Sequence, residues 1–334
     1  MKEARLWTTA GDKVECQLCN HYCKIREGRK GLCQVRKNEA GRLYSLNYGK
    51  LIAAHIDPIE KKPLFHFLPG SRSYSIAASG CNFRCAWCQN WDISQLSDRN
   101  DPDRLALTTP EKVVGTALQS GCKSISYTYT EPTIFYEYAR DVSVLAREAG
   151  LRNVWVSNGY MSAEMLDEYM PLIDAINVDI KAFDDTVYRK YAGAHLQPIL
   201  DNCVTLKKAG VWLEVTTLLI PGVNDNEAQV VGLAEFVAEK LGTDTPWHVS
   251  RYYPQAQFRE IEATPAETIL NALKTGKDSG LQFVYTGNLG QHENTVCPSC
   301  GELFIGRSAL WNNPNKIQDG ACPKCGTKIA GVWE

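Results

Sequence analysis

Short apolar segments alternate with amphipathic segments along most of the chain after residue 73. Segments rich in β-branched and aromatic residues predict buried strands at residues 75–79, 124–129, 153–157, 175–180, 211–220, 247–251 and 281–285. Segments with apolar positions three or four apart predict helices at residues 111–119, 133–149, 163–170, 198–209, 227–241 and 265–275. Ser162 and Thr264 are expected to cap two of these helices. Repeated strand–helix units favour an α/β fold with a parallel sheet and right-handed crossovers.

The composition is that of a globular protein: 334 residues, 44% of them hydrophobic and 22% charged. A net charge of −2 gives no whole-chain positive field and therefore disfavours nucleic acid as a partner. No run of 18 apolar residues predicts a membrane span, and the N-terminus lacks the apolar stretch of a signal peptide. We therefore expect a cytoplasmic protein, in which clustered cysteines indicate metal or redox chemistry.

The 13 cysteines fall mainly into three groups. The C-terminal group consists of two similar turns, Cys297-Pro-Ser-Cys300-Gly and Cys322-Pro-Lys-Cys325-Gly. Two residues between cysteines let both sulfurs face one ion, so the four predict a tetrahedral site. We expect structural zinc in a small ribbon. Reduced surface thiols and a rubredoxin-like iron site are the alternatives.

The N-terminal group, Cys16, Cys19, Cys23 and Cys33, has an unusual spacing. A turn at residues 28–31 is expected to bring the fourth cysteine back towards the first three. Four thiolates would complete either a closed zinc site or a second iron–sulfur cluster. Zinc is the preferred interpretation, and His21 is not expected to be a ligand.

The central group, Cys81, Cys85 and Cys88, lies within eight residues. Three cysteines on one short loop cannot close a tetrahedral zinc site without a fourth ligand. They can hold a 4Fe–4S cluster and leave one iron open to a substrate or cofactor. This spacing, together with the preceding strand and Trp87, resembles the radical S-adenosylmethionine (SAM) superfamily. The resemblance implies a 4Fe–4S cluster, SAM as cofactor and a partial (β/α)6 barrel with its chemistry at the C-terminal strand ends.

Two segments at strand ends resemble SAM-binding elements of that superfamily. Glu131-Pro132 matches the end of a Gly-Gly-Glu-Pro segment, although Tyr129 and Thr130 replace the glycines. The resemblance implies that Glu131 contacts SAM. The alternative is an acid that complements a helix N-terminus. Asn158 lies in a segment similar to one in the activases of glycyl-radical enzymes, and the alternative there is an ordinary turn.

Two further strand ends carry candidates for binding SAM or substrate. Asp179-Ile-Lys181 resembles an Asp-x-Lys element of the same activases, and a structural ion pair is the alternative. Glu214 stands where a basic residue is expected in the activases. His248 follows an alternating strand pattern and could face the barrel, although a lone histidine can equally be a core residue.

A closer resemblance runs nearly end to end. The segments that carry this resemblance are the N-terminal Cys-x-Leu-Cys element, residues 58–66, the central cysteines, the Tyr-Thr-Glu-Pro segment, the sequence around His292 and the C-terminal turns. The chain thereby resembles the radical SAM component of the AmmeMemoRadiSam system, a group related to pyruvate formate-lyase activating enzymes. The resemblance implies Memo-like and AMMECR-like proteins as partners, and an external electron donor such as flavodoxin or ferredoxin.

These patterns divide the chain into three predicted domains. Residues 1–72 form a four-cysteine metal-binding domain, residues 73–290 the partial barrel and residues 291–334 the zinc ribbon. Residues 58–68 could either cover the mouth of the cluster site or link two domains.

The resemblance implies a function as well as a fold. A reduced cluster would cleave SAM to a 5′-deoxyadenosyl radical that takes a hydrogen atom from an unknown substrate. The similarity to activases favours a protein or peptide substrate. The alternatives are modification of a small molecule or RNA, and a non-catalytic iron–sulfur and zinc scaffold. No catalytic acid–base pair is predicted.

Overall fold

The computed structural model describes residues 1–289, 293–307, 315–317 and 319–334. The strands of the N-terminal part are β1 (Lys2–Glu3), β2 (Trp7–Ala10), β3 (Lys13–Cys16), β4 (Lys24–Arg26), β5 (Arg36–Glu39) and β6 (Arg42–Ser45). They form two three-stranded sheets, in the orders β1-β6-β5 and β2-β3-β4. In the part of the chain that the structure describes, no helix is long and apolar enough to cross a membrane.

The central sheet contains β7 (Leu51–Pro58), β8 (Arg72–Ala78), β9 (Ser124–Tyr127), β10 (Arg152–Ser157), β11 (Ala175–Asp179), β12 (Trp212–Leu219), β13 (Trp247–Arg251) and β14 (Val284–Gly287). Its order is sequential, from β14 to β7. Strands β8 to β14 pair in parallel, and β7 pairs antiparallel with β8. The predicted α/β fold with a parallel sheet is confirmed. In the described part of the chain the parallel strands β8 to β14 correspond to the seven strands that the sequence pattern predicts, one more than a (β/α)6 barrel contains.

The helices connect these strands in the order that the sequence pattern predicts. They are α1 (Trp91–Ser94), α2 (Pro110–Gln119), α3 (Tyr136–Glu148), α4 (Ala163–Tyr169), α5 (Asp185–Val187), α6 (Gln197–Lys208), α7 (Glu227–Phe236) and α8 (Ala266–Asp278). Short 3₁₀ turns lie at Ile59–Lys61, Pro102–Arg104, Pro132–Phe135 and Met170–Leu172, and π turns at Tyr188–Ala192 and Val237–Leu241.

The two predicted helix caps have different outcomes. Ser162 caps α4 as expected, because its side chain accepts a hydrogen bond from the backbone of Met165. Thr264 does not cap α8, and that prediction is wrong. Its hydroxyl instead accepts from the backbone of Tyr252 and donates to the carbonyl of Leu219, so it joins two strand ends.

The lower part of the barrel is filled by residues 59–68, which we call the floor segment. Ile59, Leu64, Phe67 and Leu68 are buried in one apolar cluster with residues of β10, β11 and β12. The side chain of Glu214, from β12, accepts hydrogen bonds from the backbone of residues 65 and 66. The floor segment therefore closes the barrel beneath the C-terminal strand ends.

The C-terminal region packs on the same segment. It contains β15 (Thr295–Val296) and β16 (Leu303–Ile305), and its Phe304 and Ile329 share an apolar cluster with Phe65 and Phe283. The predicted domain boundary at residues 290–291, like His292, lies outside the described residues. At the other predicted boundary, residues 51–58 on its N-terminal side form β7 of the central sheet.

Candidate functional site

A cavity of about 580 Å³ opens at the C-terminal ends of the parallel strands. The three central cysteines line it, and so do four of the five side chains predicted to hold SAM. The lining residues from both sets are Cys81, Cys85, Cys88, Glu131, Asn158, Asp179 and Lys181. Side chains from four separate segments thus converge on one space, as expected for the C-terminal face of a barrel.

The loop that carries the central cysteines is fixed from both ends. The backbone of Phe83 donates to the Sγ of Cys81 at 3.3 Å, and the Sγ of Cys88 lies 3.4 Å from the hydroxyl of Ser94. The neighbouring Trp87 is buried and lines the cavity. These contacts orient thiols that would otherwise rotate freely.

The three sulfurs suit a cluster better than a single ion. Among the residues that the structure describes, only the C-terminal cysteines form a set of three or more ligands whose atoms all lie within 4.8 Å of one another. The central sulfurs are therefore wider apart than ligands of one ion. Thiolates on separate irons of a 4Fe–4S cluster have such a spread, and three of them leave one iron open.

The departure from the Gly-Gly-Glu-Pro pattern has a backbone explanation. Tyr129 has φ +64°, a left-handed conformation that glycine adopts without strain and other residues rarely adopt. Its carbonyl accepts from the side chain of Asn90 at 2.7 Å, and its hydroxyl bonds to Asp57. The chain thus keeps the glycine-like backbone at this position and places an aromatic ring beside the cavity.

Glu131 is buried at the cavity wall and organises its surroundings. Its Oε1 accepts from the backbone and hydroxyl of Thr133 and from the hydroxyl of Ser157. Its Oε2 accepts from the backbone of Asn158 at 2.8 Å. Burial raises the pKa of Glu131, although these hydrogen bonds oppose the rise. The Oε2 atom carries a single bond within the protein and can accept another donor.

Asn158 connects this wall to the cysteine loop. Its Nδ2 donates to the side chain of Asn82 at 2.7 Å, and its Oδ1 accepts from the backbone of Tyr160. The turn that sequence reasoning offered as an alternative is therefore present. The same side chain also lines the cavity, so the turn and a cofactor contact are compatible.

Asp179 and Lys181 form an ion pair of 2.9 Å at the cavity wall. Burial alone would lower the pKa of Lys181, but the Asp179 carboxylate and the nearby Cys85 raise it above its ordinary value. The structural ion pair and the predicted binding element are thus the same residues. Both side chains remain partly exposed to the cavity, at 30% and 19%.

His248 lies in a different environment from the other four candidates. Its Nε2 is 2.6 Å from a carboxylate oxygen of Glu214, and its ring packs against Phe65 and Tyr285. Among the described residues that line the cavity, His248 does not occur. The structure therefore places it in the core beside the floor segment, and a contact with SAM remains a prediction.

Glu214 explains the absence of a basic residue at its position. Its carboxylate accepts from two backbone amides, from the indole of Trp212 and from His248. Burial would raise the pKa of Glu214, but the contact with His248 lowers it below its ordinary value. This carboxylate holds the floor segment and does not line the cavity, within the described part of the chain.

Two lysines on the floor segment belong to the site but were not predicted as binding residues. Lys61 and Lys62 line the cavity and both bind Asp57, at 2.8 and 2.6 Å. Burial lowers the pKa of Lys62 to about 8, although Asp57 favours the charged form. The Lys-Lys-Pro sequence before the first barrel strand could have indicated these binding residues. Sequence alone, however, did not show where in the fold this segment lies.

The C-terminal cysteines also come together. Cys297 and Cys325 have sulfurs 3.6 Å apart, and Cys300 and Cys322 have sulfurs 3.7 Å apart. Tetrahedral metal–sulfur bonds of about 2.3 Å separate sulfurs by about 3.8 Å, so this group could hold one metal ion. The N-terminal cysteines instead line a second, smaller cavity.

Comparison with known proteins agrees with this geometry. Residues 75–234 match the family model of the radical SAM superfamily. An uncharacterised protein of Methanocaldococcus jannaschii is 44% identical over 335 residues, covering 98% of this chain and 99% of the relative. The isethionate sulfite-lyase activating enzyme of Nitratidesulfovibrio vulgaris is 29% identical over 147 residues, covering 37% of this chain and 48% of that enzyme.

A solved structure supports the fold. The crystal structure of a radical SAM methyltransferase from Sphaerobacter thermophilus superposes with a TM-score of 0.52 at 17% identity, over 71% of each chain. Residues 75–234 therefore form a radical SAM domain, the domain of a superfamily whose members are enzymes that use a 4Fe–4S cluster and SAM. Part of the chain is homologous to activating enzymes.

Proposed function

We propose that this chain is an activase-like radical SAM enzyme that removes a hydrogen atom from a protein or peptide. The observation that carries the proposal is the shared cavity, in which three sulfurs face polar side chains from four other segments. When bound, the cluster and SAM supply an electron and a carbon-centred radical that can take hydrogen.

The residues of the chain have separate roles in this proposal. Cys81, Cys85 and Cys88 hold the cluster and leave one iron open. Glu131 positions Asn158 through the backbone contact of 2.8 Å and offers its Oε2 to an ammonium group. The Asp179–Lys181 pair presents both signs of charge to the cavity, which suits the amino and carboxylate groups of SAM.

The floor segment keeps water out of the site from below. Its apolar side chains are buried against β10 to β12, and Lys62 is 1% exposed. A closed floor limits the side reactions of a radical with solvent. Access is then restricted to the open C-terminal face, where a peptide segment can enter.

The names of partial relatives support a protein substrate. Relatives include activating enzymes of isethionate sulfite-lyase and of benzylsuccinate synthase, each of which acts on another enzyme by name. The resemblance to the AmmeMemoRadiSam component remains a prediction. Memo-like and AMMECR-like proteins are therefore the first candidates for the substrate, and flavodoxin or ferredoxin for the electron donor.

Zinc is proposed for the C-terminal group. The sulfur distances of 3.6 and 3.7 Å suit a tetrahedral ion of its size. Its role in the proposal is structural, because a region with so small an apolar core needs a further crosslink.

The test is anaerobic turnover. The protein with a full cluster is mixed with dithionite and SAM, and 5′-deoxyadenosine and methionine are measured with and without a Memo-like protein. We expect product with wild type and none with Cys85→Ala, which lacks a cluster ligand. Cys122→Ala is the matched control, because this cysteine lies outside all three groups.

Three outcomes would contradict parts of the proposal. Turnover retained in Cys85→Ala would refute the assignment of the cluster. Wild type with a full cluster but without product, even with the Memo-like protein present, would favour a scaffold role. Product formed only with a small molecule or RNA, and no mass change in the protein, would replace the proposed substrate class.

A further inference from the structure

The N-terminal cysteines surround a small cavity instead of meeting at a point. Cys16, Cys19, Cys23 and Cys33 all line it. Cys16 ends β3, and its backbone bonds to that of Cys23 at 3.0 Å. The turn before Cys33 is held by the bond from Gly31 to the carbonyl of Arg36. Backbone hydrogen bonds thus fix how far apart the thiols stand.

Among the described residues, the four N-terminal sulfurs do not converge as the C-terminal sulfurs do. Within the described ranges, which contain all four cysteines, no three of them belong to a set whose ligand atoms lie within 4.8 Å of one another. The C-terminal cysteines in the same structure do meet that distance. Four thiolates on one zinc ion stand about 3.8 Å apart, whereas four thiolates on a 4Fe–4S cluster each bind a different iron and stand farther apart.

Two buried donors line the same cavity. Arg36 directs its terminal nitrogens to Glu137 at 2.7 and 2.6 Å, but among the described residues its Nε has no hydrogen-bond partner. The Nδ2 of Asn82 likewise has none in the described part of the chain. Unpaired buried donors are rare. Thiolate and sulfide atoms of an anionic cluster would serve as acceptors for both.

The cavity shares a wall with the proposed SAM site. Asn82 lines it and directly follows Cys81, which lines the larger cavity. His21 contacts the carbonyl of Asn82 at 2.8 Å. A Cβ at Gly80 would lie 3.1 Å from the carbonyl oxygen of Cys33, so the two cysteine loops are in backbone contact.

We propose that Cys16, Cys19, Cys23 and Cys33 hold a second 4Fe–4S cluster that passes electrons to the cluster at Cys81, Cys85 and Cys88. The second cluster accepts one electron from a reduced flavodoxin or ferredoxin, which is oxidised. It then gives that electron to the first cluster and returns to its oxidised state. The transfer to the first cluster rests on the proposed function, whereas the existence of the second cluster does not.

The metal content of one variant tests the site. The triple variant Cys81→Ala/Cys85→Ala/Cys88→Ala is purified anaerobically from iron-replete cells without reconstitution. We expect about four irons and four sulfides to remain per chain, with about one zinc, and a 4Fe–4S signal by electron paramagnetic resonance after reduction. No iron and about two zincs per chain would overturn the proposal.

A matched variant tests electron transfer separately from the existence of the second cluster. Cys19→Ala/Cys33→Ala should keep about four irons at the first cluster, and Cys203→Ala should keep the iron of wild type. In Cys19→Ala/Cys33→Ala we expect reduction of the first cluster by flavodoxin to be lost and reduction by dithionite to be retained. Undiminished reduction by flavodoxin would refute the transfer step. If this variant fails to fold, the triple variant still decides the site.

Discussion

Two groups of four cysteines lie near the two ends of the sequence, and their surroundings impose different distances on them. The C-terminal sulfurs lie within 4.8 Å of one another, on two turns of a region with short strands. The N-terminal sulfurs surround a small cavity whose wall includes Asn82 of the barrel. The comparison teaches that four cysteines do not by themselves define one ligand geometry, because the backbone sets the distances between the sulfurs.

The two regions also depend on the barrel differently. The N-terminal region is joined to α3 by the buried pair of Arg36 and Glu137, exposed by 1% and 2%. The C-terminal region is joined to the floor segment by apolar contacts around Phe65. We therefore expect the N-terminal region to unfold when its ion pair is broken, and the C-terminal region to unfold when its metal is removed.

The largest effect is expected from removing the C-terminal metal. Cys322→Ala takes away one of four ligands, and structural zinc contributes about 10–16 kcal/mol in small zinc domains. We expect the loss of about one zinc per chain and rapid hydrogen exchange at residues 293–307, with iron unchanged. Slow hydrogen exchange at these residues without zinc would show that the apolar cluster around Phe304 is sufficient to keep the region folded.

Breaking the buried ion pair should have the next largest effect. Glu137→Gln leaves the Arg36 charge buried, at a cost of about 3–5 kcal/mol. We expect a lower free energy of unfolding in denaturant and loss of the N-terminal iron. The control is Glu3→Gln, because the Glu3–Arg42 pair is 49% and 60% exposed and contributes about 0–1 kcal/mol. An equal loss of unfolding free energy in the two variants would contradict the importance of the buried ion pair.

A methyl group at the shared wall tests the contact between the two cysteine loops. Gly80 has φ +105°, and a Cβ there would lie 3.0 Å from Val35 Cγ1. We expect Gly80→Ala to cost about 2–3 kcal/mol, from strain and overpacking. Gly11→Ala, with φ +65° and nothing within 4 Å, should cost about 1 kcal/mol. Thermal unfolding measures both, and a similar loss in each would mean that the loops are not in tight contact.

The smallest effect tests the attachment of the C-terminal region. Burial lowers the pKa of His66 to about 4, so folded His66 stays neutral while unfolded histidine is protonated below about pH 6.5. Stability from this group is complete above pH 6.5 and is lost as the pH falls towards 4. From pH 7 to 6 wild type should lose about 0.7 kcal/mol more than His66→Gln. Identical losses in urea titrations would show that His66 is protonated in the folded state.

The sequence predicted the barrel because its strands are short, buried and regularly spaced. It also predicted the residues at the strand ends, and Glu131, Asn158, Asp179 and Lys181 all line one cavity with the central cysteines. These predictions rest on local patterns, which a single sequence displays. The same patterns could not separate an ion pair from a binding element. The Asp179–Lys181 ion pair lines the cavity, and its role in binding stays a prediction.

The features that sequence reasoning missed depend on contacts between distant residues. Glu214 binds the backbone of Phe65, 149 positions away, and no local spacing records that. The distances between the N-terminal sulfurs depend on hairpins and on docking against Asn82, so ligand number alone left both zinc and a second iron–sulfur cluster open. The sequence shows that a lysine stands at position 62. That Lys62 lines the cavity follows only from the path of the floor segment.

The floor segment has a consequence for the time course of folding. Phe67 pairs with Val332, and His66 bonds to the carbonyl of Ala330, 264 positions along the chain. Contacts this far apart in sequence form slowly, because a long loop must close first. During synthesis the barrel and the floor segment beneath it can therefore assemble before residues 330–332 have been made. Newly made chains should pass through a stage in which Glu214 already holds the floor segment but the contacts of that segment with residues 330–332 are still missing.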